Sequence, residues 1–320
     1  MIRIGQIGIG HNHGAAKIAA FRRFPQYFEI VGVAEPQEKW WKERGHLYDW
    51  LPRMSEEELL SQVDAVVVET DVPDLIATAR RCIQAGKHVH MDKPAGGDLE
   101  EYRLMLEEAK AKGLVVQLGY MLRYNPGIAR AVEAVRAGEL GVIESIDAQM
   151  STGHDPWYRK WLDRMPGDVR YIMGSNMVDL IVRMLGEPKE VHHFGRCTGR
   201  DGISYMDNNL TVLEYDQTIV RLVVSSSEVN GHGQRRLVIS GEKGAYKIEP
   251  LETDQVVHYA QAGGNPYTNT AQVLEIPQQE DRYQEQVCDF YDYIKGNKEN
   301  PYTYEFEYSV EKIIRKVAQI

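Results

Sequence analysis

The sequence predicts an α/β fold, a doubly wound parallel sheet, followed by an α+β region built on antiparallel strands. Three observations predict it. Short apolar runs alternate with amphipathic helical patterns through the first third of the chain, as a parallel sheet covered on both faces requires. After Gly119 the pattern changes to longer runs in which polar and apolar residues alternate, the signature of strands with one solvated face. The length, 320 residues, exceeds what one hydrophobic core organises, so two domains are expected, 1–120 and 121–320.

The predicted strands of the first domain are Ile2–Ile7, Phe28–Ala34, Ala65–Val68, Val89–Met91 and Leu114–Leu118. The helices between them carry start and stop signals. Ser55 and Glu58 have the spacing of a capping box, and Asp98 and Glu101 repeat it. Pro73 opens a helix whose stripe is Leu75, Ile76, Ala79, Cys82 and Ile83, and Gly86 stands where a left-handed terminal residue is wanted. Gly113 does the same after Leu99, Tyr102, Leu106 and Ala109. Parallel neighbours need crossovers, so five strands joined by helices make the doubly wound sheet.

Beyond Gly119 the expected strands are Val142–Met150, Asn208–Tyr215, Thr218–Ser225, Arg235–Ile239 and Tyr246–Glu249, with a hairpin turn at Asp216–Gln217. Two helices close the chain. One turns Val287, Phe290, Tyr291 and Ile294 inward, the other Val310, Ile313, Ile314 and Val317. No repeat or low-complexity linker interrupts the second domain.

Strand Ile2–Ile7 runs into GIGHNHG, Gly8 to Gly14, and then a helix expected over Ala15–Phe24. A pyrophosphate needs a tight turn, close backbone approach and a helix N-terminus; Gly8 and Gly10 supply the first two. The third glycine of GxGxxG falls on His13, with Gly14 one place late. Glu35 ends the second strand, where an acid accepts hydrogen bonds from the adenosine ribose. Its charge repels a 2′-phosphate, which favours NAD over NADP. His11 and His13 invite a metal reading, but no matching carboxylate or cysteine spacing accompanies them, so no metal is expected.

Lys and Arg number 37 against 47 Asp and Glu, a net charge of −10 that repels nucleic acid and anionic lipid. A small-molecule ligand is the expected partner. No apolar run reaches a membrane span, and the N-terminus lacks a signal-peptide core, so a cytoplasmic protein is expected. Cys82, Cys197 and Cys288 lie far apart without paired spacing and are expected as packing residues. His192 and His193 fall in a strand, one inward and one outward, which gives them a structural role.

The run AGKHVHMDKPAG, Ala85 to Gly96, together with the glycine loop, resembles the Gfo/Idh/MocA family, in which an AGKHV strand leads to an E-K-P signature. Here that signature stands as Asp92, Lys93 and Pro94; GYMLRYNP (Gly119 to Pro126) and LGEPKEV (Leu185 to Val191) also look like family segments. The resemblance covers nearly the whole chain. It implies a Rossmann domain, then a domain on a large, mostly antiparallel sheet, with the active site in the cleft between them. It also implies association as a homodimer or homotetramer and hydride transfer between a nicotinamide and a hydroxyl carbon of a sugar or cyclitol. Lys93 matches the lysine beside the nicotinamide. Chemistry agrees, because a cation near the oxygen stabilises developing alkoxide, and the C-terminal end of a parallel strand points into the ligand crevice. The cofactor set is expected to be Gly8, Gly10, His11, Asn12, Glu35, Thr70, Asp71, Asp92, Lys93 and Pro94.

In the second domain the family usually presents Asp, then Gly, His and Asp at two, four and seven places on, from one helical face. This chain has Ile172, Gly174, Asn176 and Asp179. The spacing survives, but Asn176 cannot titrate near neutrality and cannot replace the histidine base. Other candidates for the proton are Lys93 with a pKa lowered by burial, Tyr120, Tyr158 and His154. The expected catalytic set is Lys93, Asn176 and Asp179. His154, Trp157, Tyr158, Lys160 and Trp161 combine aromatic faces with polar tips, suited to stacking on a sugar or to anchoring a loop. Arg123 and Tyr124 match a family pair at the cleft mouth, so the substrate set is Arg123, Tyr124, His154, Trp157 and Tyr158.

The leading reading is an NAD-dependent dehydrogenase of a sugar, sugar derivative or cyclitol. One alternative uses transient oxidation to process a glycoside. The other is a dehydrogenase relative that binds NAD or a sugar without turnover; the missing histidine supports it, and the intact surroundings of Lys93 oppose it.

Overall fold

Five short apolar runs pair side by side in the first part of the chain: β1 (Ile2–Ile7), β2 (Phe28–Ala34), β3 (Ala65–Val68), β4 (His88–Met91) and β5 (Val116–Leu118). Every pairing is parallel, in the order β2-β1-β3-β4-β5. β3 reads AVVV and is buried along its whole length, as befits a strand inside a covered parallel sheet. The connections contain α1 (Gly14–Arg22), α2 (Glu38–Arg44), α3 (Glu56–Gln62), α4 (Leu75–Gln84) and α5 (Leu99–Ala111). The computed structural model describes residues 1–252, 255–261, 271–277, 279 and 281–320.

The local signals work by the chemistry that predicts them. Ser55 accepts a hydrogen bond from the Glu58 amide at 3.1 Å, and Asp98 accepts from those of Glu100 and Glu101 at 2.8 and 3.0 Å, so orphan amide groups at two helix starts are satisfied. The α4 stripe Leu75, Ile76, Ala79, Cys82 and Ile83 is buried throughout. Pro73 lies in a short 3-10 turn, Val72–Asp74, that leads into α4. Gly86 and Gly113 both have positive φ, as the helix stops require. α1 ends at Arg22, two residues before the expected Phe24.

The second part of the chain contains α6 (Pro126–Arg136), β6 (Ile143–Gln149), α7 (Pro156–Leu162), α8 (Asp168–Ile172) and α9 (Ser175–Leu185). There follow β7 (Glu190–Arg196), β8 (Asn208–Glu214), β9 (Ile219–Ser225), β10 (Arg236–Gly241), β11 (Gly244–Ile248), β12 (Val257–Gln261) and β13 (Gln272–Leu274). These strands form one eight-stranded sheet, β13-β12-β11-β10-β6-β9-β8-β7. Its pairs are antiparallel except β6 with β9, which run parallel. A bond from the Tyr215 amide to the Thr218 carbonyl closes the Asp216–Gln217 hairpin. Along β7 exposure alternates, leaving His192 exposed and His193 half-buried. β12 and β13 were not anticipated, because VHYAQ and QVL are short and of mixed polarity.

Two helices finish the chain, α10 (Gln284–Lys295) and α11 (Tyr304–Ala318). By packing, one unit comprises Met1–Met121 with Asp281–Glu311, and the other Leu122–Glu280 with Lys312–Ile320. The structure thus differs from a contiguous division into 1–120 and 121–320. α10 joins the first unit because Phe290 makes edge contacts with Phe21 and His90, centroids 6.1 and 5.8 Å apart. Gln286 also donates to the Leu118 carbonyl and accepts from Lys17. Tyr293 is buried on α10, whereas Tyr291 stacks on Tyr27 at the half-buried edge. Val310, Ile313, Ile314 and Val317 of α11 are buried as their spacing predicts. Cys82 packs in the core and Cys288 is half-buried, but Cys197 is exposed, so it is not a packing residue. Among the described residues, no helix is long and apolar enough to cross a membrane.

Candidate cofactor and substrate sites

In the order β2-β1-β3 the chain leaves β1 on one side and returns on the other, so the carboxyl ends of β1 and β3 flank the switch point where such sheets bind ligands. Gly8 follows β1 with φ +91, and a Cβ there would stand 2.4 Å from the Thr70 amide nitrogen. Only glycine meets both demands. At Gly10 a Cβ would meet the Trp40 indole nitrogen at 2.8 Å. Thr70, just beyond β3, is buried, and its hydroxyl has no hydrogen-bond partner; the Trp40 indole N–H has none either. Buried polar groups are rarely left so. Two such groups around a glycine turn fit a polar ligand that supplies the missing partners. Asn12 is exposed on the same loop, and Asp71 caps the 3-10 turn by accepting from the Val72 amide.

Glu35 stands just past β2 and is 8% exposed. One carboxylate oxygen accepts from the Ile9 amide at 2.9 Å and the other from Gln37 at 2.7 Å, while the Trp41 indole donates to the Glu35 carbonyl. Burial pushes its pKa up, against the pull of those two amide bonds. Each oxygen retains a lone pair, so the carboxylate both fixes the loop and can accept from a ribose hydroxyl.

Behind the loop lies a buried cluster that the sequence concealed. Asp92, just past β4, accepts from the Lys93 amide at 2.6 Å through one oxygen. Its other oxygen faces His11 Nδ1 at 3.4 Å and His13 Nδ1 at 3.2 Å. Glu69, just past β3, is buried at 3.5 Å from His11 Nδ1, and neither of its carboxyl oxygens has a hydrogen-bond partner. Burial, with Asp92 beside it, pushes Glu69 well above the usual carboxyl range. Burial would also raise Asp92, but His11, His13 and Lys17 hold it well below. Burial takes His11 down to about 3, against Asp92. Lys17 is buried on α1, where it donates to Gln286 and lies over the Tyr283 ring. Lys93 is 4% exposed and its charge helps lower His11; Pro94 follows through a cis bond. Sequence spacing shows no carboxylate partner for His11 and His13; the fold brings carboxylates to them from the ends of β3 and β4, remote in sequence but adjacent in the sheet. Glu69 was missed because a lone acid after an apolar strand has no distinctive spacing.

The second unit holds the other candidates. Arg123 and Asp179 form a bidentate pair at 2.6 to 3.1 Å, both side chains 1% exposed. Asn176 donates to the Met173 carbonyl at 3.2 Å, and its buried amide oxygen has no partner. Asn176 and Asp179 share a face of α9. Ile172 does not continue that helix, since it ends α8 and the chain turns at Met173 and Gly174. A Cβ at Gly174 would meet the Arg170 carbonyl at 2.3 Å, which fixes glycine at the break. Tyr124 is half-buried, and its carbonyl accepts from Gln279.

On and before α7, His154 stacks on Tyr158 at 4.2 Å and Tyr158 leans on Trp161 at 5.0 Å. Trp161 is buried and Lys160 exposed, while Trp157 stands 54% exposed. The buried His154 Nε2 has no partner, and burial lowers its pKa to about 4. This group therefore combines one anchoring tryptophan with one free aromatic face.

Residues 2–120 match the family profile described as oxidoreductase family, NAD-binding Rossmann fold, and residues 128–247 match that of the GFO/IDH/MocA C-terminal domain. The oxidoreductase YhhX of Escherichia coli (strain K12) is 27% identical over 206 residues, which cover 62% of this chain and 57% of that protein. The match thus spans little more than half of the relative's length. The scyllo-inositol 2-dehydrogenase (NAD(+)) of Bacillus subtilis (strain 168) is 32% identical over 79 residues, 25% of this chain and 23% of that one. The aldose-aldose oxidoreductase of Caulobacter crescentus superposes with a TM-score of 0.83 at 19% identity, covering 99% of this chain and 96% of that one; at such identity the likeness shows the fold. With both parts of the architecture matched in order along one chain, the protein belongs to the Gfo/Idh/MocA family of oxidoreductases.

Proposed function

We propose that the protein is an NAD-dependent oxidoreductase that transfers hydride between the nicotinamide and a hydroxyl carbon of a sugar, sugar derivative or cyclitol. The observation that carries this reading is the cradle at the ends of β1 and β3. There Gly8 leaves room at the Thr70 backbone, Thr70 and Trp40 hold unpartnered polar atoms, and Glu35 braces the loop. Gly8, Gly10, His11, Asn12, Thr70 and Asp71 would hold the dinucleotide, with the first-turn amides of α1 toward its phosphates. Glu35 favours NAD, since its carboxylate accepts from a free 2′-hydroxyl and repels a phosphate there.

Bound nicotinamide supplies the hydride acceptor. Lys93 would take the hydroxyl proton as hydride leaves the carbon and, as the resulting ammonium, balance charge on the substrate oxygen, with Asp92 holding its backbone. In the second unit the Asn176 amide oxygen accepts from a substrate hydroxyl. Asp179, held by Arg123, keeps lone pairs for another, and Trp157, beside Tyr158, offers a face to a sugar ring. A relative named for inositol oxidation with NAD+ supports the substrate class. Self-association as a homodimer or homotetramer rests on the resemblance, and sedimentation equilibrium tests it.

The test is calorimetry with NAD+ and NADH, followed by NADH formation on a panel of sugars and cyclitols. Native protein is expected to bind dinucleotide and turn over a panel member, and Lys93→Ala to lose about 10²- to 10⁴-fold in kcat/KM. Absence of dinucleotide binding overturns the reading.

A further inference from the structure

Two imidazoles and two carboxyl groups meet behind the glycine loop. His11 Nδ1, His13 Nδ1 and an Asp92 oxygen all lie within 4.8 Å of one another. A tetrahedral ion with bonds of 2.0–2.1 Å holds its ligand atoms roughly 3.3 Å apart. Asp92 Oδ2 stands 3.4 Å from His11 Nδ1 and 3.2 Å from His13 Nδ1, so both separations match before any ion is added.

The supports of the three side chains leave those atoms facing one another. The Lys93 amide takes Asp92 Oδ1 and leaves Oδ2 to the histidines. The His11 amide donates to the Glu69 carbonyl at 3.0 Å, which ties the loop to the end of β3. The His13 amide points at His11 Nδ1 at 3.4 Å, so this nitrogen is approached from the loop as well as from the two carboxyl groups. Glu69 supplies the independent sign: its side chain is fully buried, its Oε2 is 3.5 Å from the same nitrogen, and neither oxygen has a hydrogen-bond partner. His13, with its side chain 32% exposed, gives solvent access on one side.

We propose that His11, His13 and Asp92, with Glu69 beside them, form a binding site for a divalent transition-metal ion of the zinc class. Two imidazole nitrogens and a carboxylate suit Zn²⁺, Co²⁺ or Ni²⁺, whereas Mg²⁺ and Ca²⁺ prefer all-oxygen shells of six or more. The site does not depend on the nicotinamide reading, since its donors face one another without any dinucleotide.

The experiment is titration of the chelator-treated full chain, free of dinucleotide, with Co²⁺ followed by its visible ligand-field bands and with Zn²⁺ by calorimetry. One ion per chain is expected, with His13→Ala weakening binding at least about 100-fold and Glu69→Gln about 10- to 100-fold, as for a group beside the ligands. His13 is partly exposed, so its variant is expected to keep the native circular dichroism. The surface variant His192→Ala is expected to bind as the native chain does. No saturable binding, or equal affinity in the native chain and His13→Ala, overturns the site. Failure of dinucleotide binding overturns only the proposed oxidoreductase reading.

Discussion

Glu35 commits one lone pair on each carboxylate oxygen to the amides of Ile9 and Gln37, so its charge sits just past the second strand and beside the glycine loop that follows the first. Glu35→Gln removes the charge and one acceptor. The proposed preference for NAD+ over NADP+ is expected to fall at least about tenfold, or roughly 1.4 kcal/mol, in calorimetric Kd values; an unchanged ratio excludes Glu35 as the selector. His154 makes a second prediction. Burial lowers its pKa to about 4 from 6.5, so the unfolded chain binds more protons between those values. Stability attributable to His154 is complete above about 6.5, is lost as pH falls toward 4, and changes no further below; the full loss is at most roughly 3 kcal/mol. Imidazole NMR titration is expected to place its midpoint near 4, and a midpoint near 6.5 contradicts the buried setting. Single residues were unevenly legible. Glu35 was legible because strand, glycine loop and acid follow at a known interval. Glu69 and its pairing with His11 were not, since strand order rather than spacing brings them together.

The elements around the sites are tight where glycine stands. Gly8→Ala would force an alanine to φ +91 and press its Cβ against Thr70, at a cost of about 1–3 kcal/mol from backbone strain alone. Dinucleotide affinity is expected to fall at least tenfold along with the thermal midpoint, and an unaltered Kd would show that the loop does not approach a ligand closely. On α9 the bidentate pair allows a sharper test. Asp179→Asn removes the carboxylate charge from a buried ion pair, and denaturant unfolding is expected to show a loss of up to about 3–5 kcal/mol. A loss under 1 kcal/mol would mean that water reaches the pair. Helix periodicity found α4, α5 and α11, whose stripes face one way. It ran α8 into α9 because the break rests on one glycine, where a Cβ would meet the Arg170 carbonyl, and a lone glycine is a weak stop signal.

At the scale of the molecule, the first unit draws α10 from the far end of the chain. Phe290 is fully buried against Phe21 and His90, so Phe290→Ala is expected to cost about 3–5 kcal/mol. Hydrogen exchange localises the effect: protection is expected to fall in β1, β2 and β4, and loss confined to the eight-stranded sheet would refute the assignment of α10. The sequence showed two helices at the end, with the α11 face and Val287 and Phe290 of α10 inward as expected, but with Tyr293 buried where Tyr291 was expected. It could not show which core those faces cover, because an apolar stripe specifies burial but not its partner.

The parallel pairing of β6 with β9 has a consequence for how the protein can diversify. Parallel neighbours cannot be joined by a tight turn, so everything from Gln149 to Ile219 is a detour between two strands that lie side by side. His154, Trp157, Tyr158, Asn176 and Asp179 all ride on that detour. The part that carries these residues runs from β6 to β7 and contributes no strand to the eight-stranded sheet, so it can be rewritten while the strand pairings beneath it stay fixed.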